Sequence, residues 1–70
     1  MSAAPVTLAE GILSEQQRCR NLLAIYAEIG PAGAFASAMI DDCLKRTEWA
    51  VMDGDAAEMI RCYQELQGFK

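Results

Sequence analysis

The sequence predicts a small all-α protein, a three-helix bundle, and three observations lead to this prediction. Apolar residues recur at the spacing of an amphipathic helix in three successive segments. Breaks that contain glycine separate these segments, "GP" at 30–31 and "DGD" at 53–55. Both connections are short, which favours antiparallel neighbours. The predicted helices span about 15–29, 32–52 and 56–66, after a short N-terminal turn; an open αα-hairpin with an extra helix is the alternative.

The segment before the first predicted helix carries two competing start signals. Residues 1–6, "MSAAPV", have no periodicity and are expected to form a flexible tail, so that 7–70 is the single helical domain. Thr7 and Ser14 each begin a capping-box pattern, "TLAE" and "SEQQ". Gly11 lies between them and disfavours one continuous helix. We therefore expect a turn at 8–12 and a separate main helix after Ser14.

The first main helix has a wide apolar arc, typical of a helix that contacts two neighbours. Its members are Cys19, Leu22, Leu23, Ile25, Tyr26 and Ile29. Gly30 is suited to the left-handed position that ends a helix, and Pro31 to the first turn of the next one. The pair is therefore expected to separate two helices.

The stretch "EIGPAGAFASAMIDD" is predicted to be mostly the N-terminal half of a buried second helix. One face of that helix is traced by Ala32, Phe35, Ala36, Met39, Ile40, Cys43, Leu44 and Thr47, continuing to Ala50 and Val51. Small residues pair at helical spacing on its first half, Gly33 with Ser37 and Ala34 with Ala38. We interpret this half as a surface for tight helix–helix packing.

The "DGD" break is expected to end the second helix and begin the third. Gly54 can take the left-handed position after the second helix, and Asp55 can accept backbone hydrogen bonds as the cap of the third. The third helix then presents an apolar face made of Ala56, Met59, Ile60, Tyr63 and Leu66.

Composition argues against several classes of function. The net charge is −4, whereas a nucleic-acid binder needs Lys and Arg to neutralise phosphates. The N-terminal sequence has neither the basic nor the apolar region of a signal peptide, and no transmembrane segment is expected. With three cysteines and no histidine, a disulfide framework and a zinc site are not expected. These features favour a reducing, cytoplasmic setting without a metal or cofactor.

The clusters that could carry chemistry have simpler structural interpretations. Asp41 and Asp42 are expected to face water, and Asp53 and Asp55 to serve as turn and cap. The spacing of "DGD" alone lacks the further ligands of a calcium loop. Cys43 lies on the apolar stripe and is expected to be buried and unreactive. We therefore predict no catalytic residues and no small-molecule substrate.

Trp49 is the most informative residue for a binding hypothesis. It lies to one side of the apolar stripe of the second helix, and aromatic residues and Met are enriched where proteins meet partners. The predicted candidate interface comprises Trp49, Met52, Lys45, Arg46 and Phe35. The alternative is that Trp49 covers the edge of the core, against the N-terminal turn with Ile12 and Leu13.

The run from Cys19 to Leu66 resembles short uncharacterised proteins encoded in proteobacterial genomes and their prophages. The matching features are "IYAEIGPAGAFASAMI", the later "GD" and the final "YQEL". This resemblance implies a bacterial cytoplasmic setting and an accessory phage role, and it assigns no functional residue. The segment "GDAAEMIRCYQEL" is also similar to half of a tetratricopeptide-type hairpin. We interpret this similarity as a sequence pattern that many helix–turn–helix segments share.

Three functional hypotheses follow. The first is a non-enzymatic protein that binds another protein or itself, with a homodimer favoured by the small core. The second is a helix-turn-helix regulator associated with nucleic acid, in which the third helix would present Glu58, Arg61, Gln64, Glu65 and Gln67. The acids on that helix oppose phosphate approach. The third is a thiol-dependent enzyme, which requires one unusually reactive cysteine.

Overall fold

The computed structural model describes residues 7–70, and every regular element in this part of the chain is an α-helix. Helix α1 spans Leu8–Ile29, α2 spans Pro31–Asp53 and α3 spans Ala56–Gly68. Each helix contacts the other two, so the molecule is a closed bundle and not an open hairpin. The prediction of an all-α three-helix bundle is confirmed. The predicted tail, 1–6, lies outside the described residues.

Helix α1 is continuous through Gly11, so the separate turn at 8–12 and the helix start after Ser14 are wrong. The Thr7 hydroxyl accepts a hydrogen bond from the Glu10 N–H (3.0 Å), and the Gly11 N–H donates to the Thr7 carbonyl (3.0 Å). A Cβ on Gly11 would lie 2.9 Å from the Tyr63 hydroxyl oxygen. Glycine costs roughly 1 kcal/mol inside a helix, and its lack of a side chain here leaves room for the Tyr63 ring.

A single residue, Gly30, connects α1 to α2. Its φ of 93° is positive as predicted, but its ψ of −147° lies outside the left-handed helical region. Pro31 occupies the first turn of α2, where its missing N–H costs nothing. The predicted separation of two helices at this pair is confirmed.

The backbones of α1 and α2 approach closely at Gly33. A Cβ at this position would lie 2.1 Å from the Tyr26 carbonyl oxygen and 3.2 Å from the Ile29 Cβ. The predicted tight packing of small residues therefore occurs at Gly33. It does not extend to Ala34 and Ala38, which are both exposed.

The α2–α3 connection follows its prediction closely. Gly54 adopts the left-handed conformation (φ 70°, ψ 25°) and its N–H donates to the Val51 carbonyl. The Asp55 N–H donates to the Ala50 carbonyl (3.1 Å), which completes a Schellman ending. The Asp55 carboxylate accepts from the Glu58 N–H (3.1 Å) and so caps α3.

The core is small and draws on all three helices. Its buried cluster consists of Cys19, Ile40, Cys43, Leu44 and Leu66. Half-buried side chains pack against this cluster, namely Leu22, Leu23, Tyr26 and Phe69. The burial predicted for Cys43 is confirmed.

The C-terminal end of α3 is fastened to α1 by polar contacts. The Arg18 guanidinium donates to the carbonyl oxygens of Leu66 (2.7 Å) and Phe69 (2.8 Å). The Tyr26 hydroxyl donates to the Lys70 carbonyl. These contacts satisfy carbonyls near the end of the helix and beyond it, including that of Leu66 in the last turn, where no α-helical partner is expected.

The sequence predicts a wider buried face on α2 than the structure shows. Phe35, Met39 and Val51 were expected on it, but they are 75%, 47% and 47% exposed. On α1, Ile25 and Ile29 are likewise more than half exposed. The Cα positions extend 36 Å and 33 Å in two directions but only 15 Å in the third, so the bundle is a slab about two helix layers thick. Each helix can therefore bury one narrow strip only.

Replacement of Gly33 by alanine is expected to destabilise the fold by about 1–3 kcal/mol, because the new methyl group meets a backbone carbonyl that cannot move freely. The measurement is urea-induced unfolding followed by circular dichroism. Gly68→Ala is the matched control, since a Cβ there meets nothing within 4 Å. Equal stability of both variants would contradict the close approach of α1 and α2.

Candidate functional site

The bundle exposes more large apolar side chains than it fully buries. Among residues 7–70, four large aliphatic side chains are buried, Ile12, Ile40, Leu44 and Leu66, and all of them except Leu44 (5% exposed) are fully buried. In the same range, nine large apolar side chains are at least 47% exposed: Leu13, Ile25, Ile29, Phe35, Met39, Trp49, Val51, Met52 and Ile60. Contiguous exposed apolar surface marks interaction sites in soluble proteins.

Part of this surface forms a groove between the N-terminal half of α1 and the C-terminal end of α2. The groove has a volume of about 410 Å³. Its lining residues are Ala9, Ile12, Leu13, Gln16, Arg20, Glu48, Val51, Met52 and Met59. We call this the α1–α2 groove.

Helical periodicity brings these residues together. On α1 the lining positions follow one another at three- or four-residue steps along one face, with Leu13 beside Ile12, and on α2 Glu48 lies three and four residues before Val51 and Met52. Ile12 is buried (1% exposed), whereas Leu13 (66%) and Met52 (76%) are open to solvent. The α1–α2 groove thus continues from the buried core to exposed apolar rims.

One ion pair lies on the α1–α2 groove. The Arg20 Nη2 and the Glu48 Oε2 are 3.6 Å apart, and about half of each side chain is exposed. Arg20 lies eleven residues after Ala9, about 16 Å along α1. The other lining residues are uncharged. The α1–α2 groove is therefore apolar, with balanced charge.

The five residues of the predicted interface are all exposed on α2, but they do not form one cluster. Met52 alone among them lines the α1–α2 groove. Phe35 is fourteen positions before Trp49, about 21 Å along the helix axis. Lys45 pairs with the Asp41 carboxylate at 3.1 Å. The interface itself stays a prediction.

Arg46 is engaged within the chain. Its guanidinium contacts the carboxylates of Asp42 (2.9 Å) and Glu65 (2.8 Å), which links α2 to α3. These groups lie beside a second, more polar cavity of about 380 Å³ that Met39 and Phe69 also line. Because both carboxylates already neutralise Arg46, this cavity offers little to an anionic ligand.

Trp49 lies largely on the surface. Its side chain is 64% exposed, and it is not among the residues that line the α1–α2 groove with Ile12 and Leu13. This exposure leaves most of the ring free to meet a partner. Contact of Trp49 with a partner remains a prediction.

The sequence patterns did not single out Leu13, Val51, Met59 or the Arg20–Glu48 pair as candidate site residues. The signal on α1 was present, since Ala9, Ile12, Leu13 and Gln16 follow helical spacing. Gly11 obscures this signal, because glycine inside a segment disfavours a continuous helix.

The three thiols lie in unreactive surroundings. Cys19, Cys43 and Cys62 are fully buried and none forms a disulfide. Burial, followed by a hydrogen bond to the Glu65 carboxylate (Sγ to Oε1, 3.5 Å), raises the pKa of Cys43 to about 12. Burial also raises the pKa of the Cys19 thiol, and the nearby Arg18 only partly opposes this. Thiols with a raised pKa have little of the reactive thiolate form.

Two further observations and three comparisons bear on the class of protein. Within residues 7–70, no group of three or more Cys, Asp or Glu side chains is arranged to hold a metal ion. In the same part of the chain, no helix has the combined length and apolar character needed to cross a membrane. Comparison of the chain with protein-family models, with curated proteins and with solved structures finds no match.

Alkylation of the three thiols at pH 8 is expected to be slow in the folded protein and fast in concentrated urea. With a pKa of about 12 instead of 9.0, the thiolate fraction of Cys43 falls on the order of 1000-fold at this pH. The measurement is iodoacetamide labelling resolved by peptide mass spectrometry. One cysteine that reacts as fast in the folded protein as in urea would contradict this prediction and support the thiol-dependent enzyme hypothesis.

The same pKa difference predicts how stability varies with pH. The unfolded thiol of Cys43 loses its proton above about pH 9, whereas the folded one keeps it until about pH 12. The contribution of this group is therefore fully present below pH 9 and declines between pH 9 and 12. Cys43→Ala is expected to flatten this part of the stability profile, measured by urea-induced unfolding at a series of pH values.

Proposed function

We propose that this chain acts by binding protein through the apolar residues on the outside of the bundle, without catalytic activity of its own. The observation that supports the proposal is the excess of exposed over fully buried large apolar side chains in residues 7–70. Removing one such side chain from water is worth about 1.5–3 kcal/mol when burial is complete. A protein partner is the ligand that can cover several of them at once.

The nucleic-acid alternative receives no support from the arrangement of charge. In the described part of the chain, Arg18, Arg20, Lys45, Arg46 and Arg61 each lie 2.7–3.6 Å from a carboxylate oxygen. A phosphate backbone would have to displace these carboxylates and then meet them as like charges. The proposed partner is therefore a protein.

A cytoplasmic, bacterial setting is part of the proposal. Buried thiols that are not joined in disulfides suit a reducing compartment. The sharper version, a phage-encoded modulator of a host protein, rests on the resemblance of 19–66 to small prophage proteins. It gives a reason to test proteins of the encoding organism as partners.

The experiment compares affinity capture by the wild-type chain and by two variants, Met52→Glu and Phe35→Glu. Both side chains are on α2 and almost equally exposed, at 76% and 75%, so neither substitution disturbs the core. Capture uses lysate of the encoding organism that also contains an untagged copy of the chain. We expect wild-type bait to retain a protein partner, and at least one variant to lose about 10-fold or more of it.

Nuclease treatment separates the two hypotheses. A partner retained after treatment agrees with protein binding. Capture that disappears with nuclease, or capture that neither variant weakens, would contradict the proposal. Circular dichroism of both variants provides the control for folding, because an exposed substitution should leave the helical signal unchanged.

A further inference from the structure

We propose that the α1–α2 groove binds a second copy of this chain, and that the two copies are related by a two-fold axis. This inference rests on the proposed protein-binding function and names its partner. In such a dimer the same surface of both copies meets itself. Leu13 and Met52 of each copy would then cover the apolar lining of the other.

The charge distribution favours this occupant. The chain carries a net charge of −4, so two copies carry like net charges. The α1–α2 groove itself is balanced, because its charged lining residues are one cation, Arg20, and one anion, Glu48. A two-fold axis between them brings Arg20 of one copy opposite Glu48 of the other, and the same pairing repeats on the opposite side of the axis.

The pair within one chain leaves room for this exchange. Its 3.6 Å separation exceeds the 2.8–3.1 Å of the ion pairs that Lys45, Arg46 and Arg61 form, and both of its side chains are about half exposed. Exposed pairs of this kind contribute little by themselves. Replacing the Arg20–Glu48 pair within each chain by two such pairs between the copies therefore costs little free energy. The two new pairs also restrain how one copy is oriented relative to the other.

The extent of the apolar surface favours a protein over a small molecule. A ligand confined to about 410 Å³ would fill the α1–α2 groove, but it would leave the rims at Leu13 (66% exposed) and Met52 (76%) in water. Trp49, three residues before Met52 on the same helix, is 64% exposed and extends this surface. A second copy covers the rims and the lining together.

A standard interface buries about 800 Å² on each partner, roughly a sixth of the 4736 Å² surface of this chain. The groove and its rims run about 16 Å along α1 and cross to α2 and α3, so a contact of that size would extend from them onto neighbouring exposed residues such as Trp49. A chain with so few fully buried side chains also gains stability from such a contact.

The first test is sedimentation equilibrium of the full chain at about 1–500 µM, a range in which a marginal dimer changes its population. We expect the mass to rise toward twice 7.6 kDa. Met52→Glu should weaken the dimer by about 10-fold or more, and the equally exposed Phe35→Glu by less than about 3-fold. Emission of Trp49, the single tryptophan, should shift to shorter wavelength as the dimer forms.

The second test uses charge reversal in two separate chains, Arg20→Glu and Glu48→Arg. Each variant alone places like charges opposite each other across the two-fold axis, so each should dimerise at least about 5-fold more weakly than wild type. A mixture of the two restores opposite charges on both sides of the axis. The mixture should therefore form a heterodimer in preference to either homodimer.

The results of these two tests can contradict the proposed dimer without contradicting protein binding in general. A wild-type chain that stays monomeric throughout, a dimer that Phe35→Glu disrupts and Met52→Glu spares, or a charge-reversed mixture without preferential pairing would each overturn the inference. Affinity capture of a different protein, lost with Met52→Glu while the chain itself stays monomeric, would overturn the second copy as occupant and uphold protein binding.

Discussion

The one-residue connection between α1 and α2 is the constraint on which the rest of the structure depends. Two helices of 22 and 23 residues are joined by Gly30 alone, so α2 must fold back at once along α1. This is possible because Gly30 accepts a positive φ and because Gly33 has no Cβ to meet the Tyr26 carbonyl. The two backbones are in contact at this end of the pair. The α1–α2 groove lies at the other end, where Met59 of α3 also lines it.

The short third helix explains why so much apolar surface stays outside. Helix α3 has 13 residues, little more than half the length of α1 or α2, and the Cα positions extend only 15 Å in the thinnest direction. It covers the central cluster around Leu66 and is tied down there by Arg18. Large side chains on the outer sides of α1 and α2 therefore have nothing within the described residues to bury them. The same geometry that gives a small core gives a large apolar exterior.

Polar interactions fix the arrangement more than they add stability. The contacts of Arg18 with the carbonyls of Leu66 and Phe69 set the position of α3 on α1. Arg46 joins α2 to α3 through Glu65, and the same carboxylate accepts a hydrogen bond from the Cys43 thiol. Partly exposed ion pairs contribute about 1 kcal/mol or less. Their main consequence is electrostatic, because the paired cations present no strong positive field to an anionic partner.

The sequence by itself determined the helical class, both connections and the cap at Asp55, because these depend on local backbone geometry and hydrogen bonds between residues close in the chain. It also indicated that α2 carries exposed candidate residues. It did not determine the continuity of α1 through Gly11, because the Tyr63 ring that packs there comes from α3. Periodicity gives the direction of an apolar face and not its buried width. Only the tertiary structure decided that width, through the thinness of the bundle, and with it which apolar residues line the α1–α2 groove.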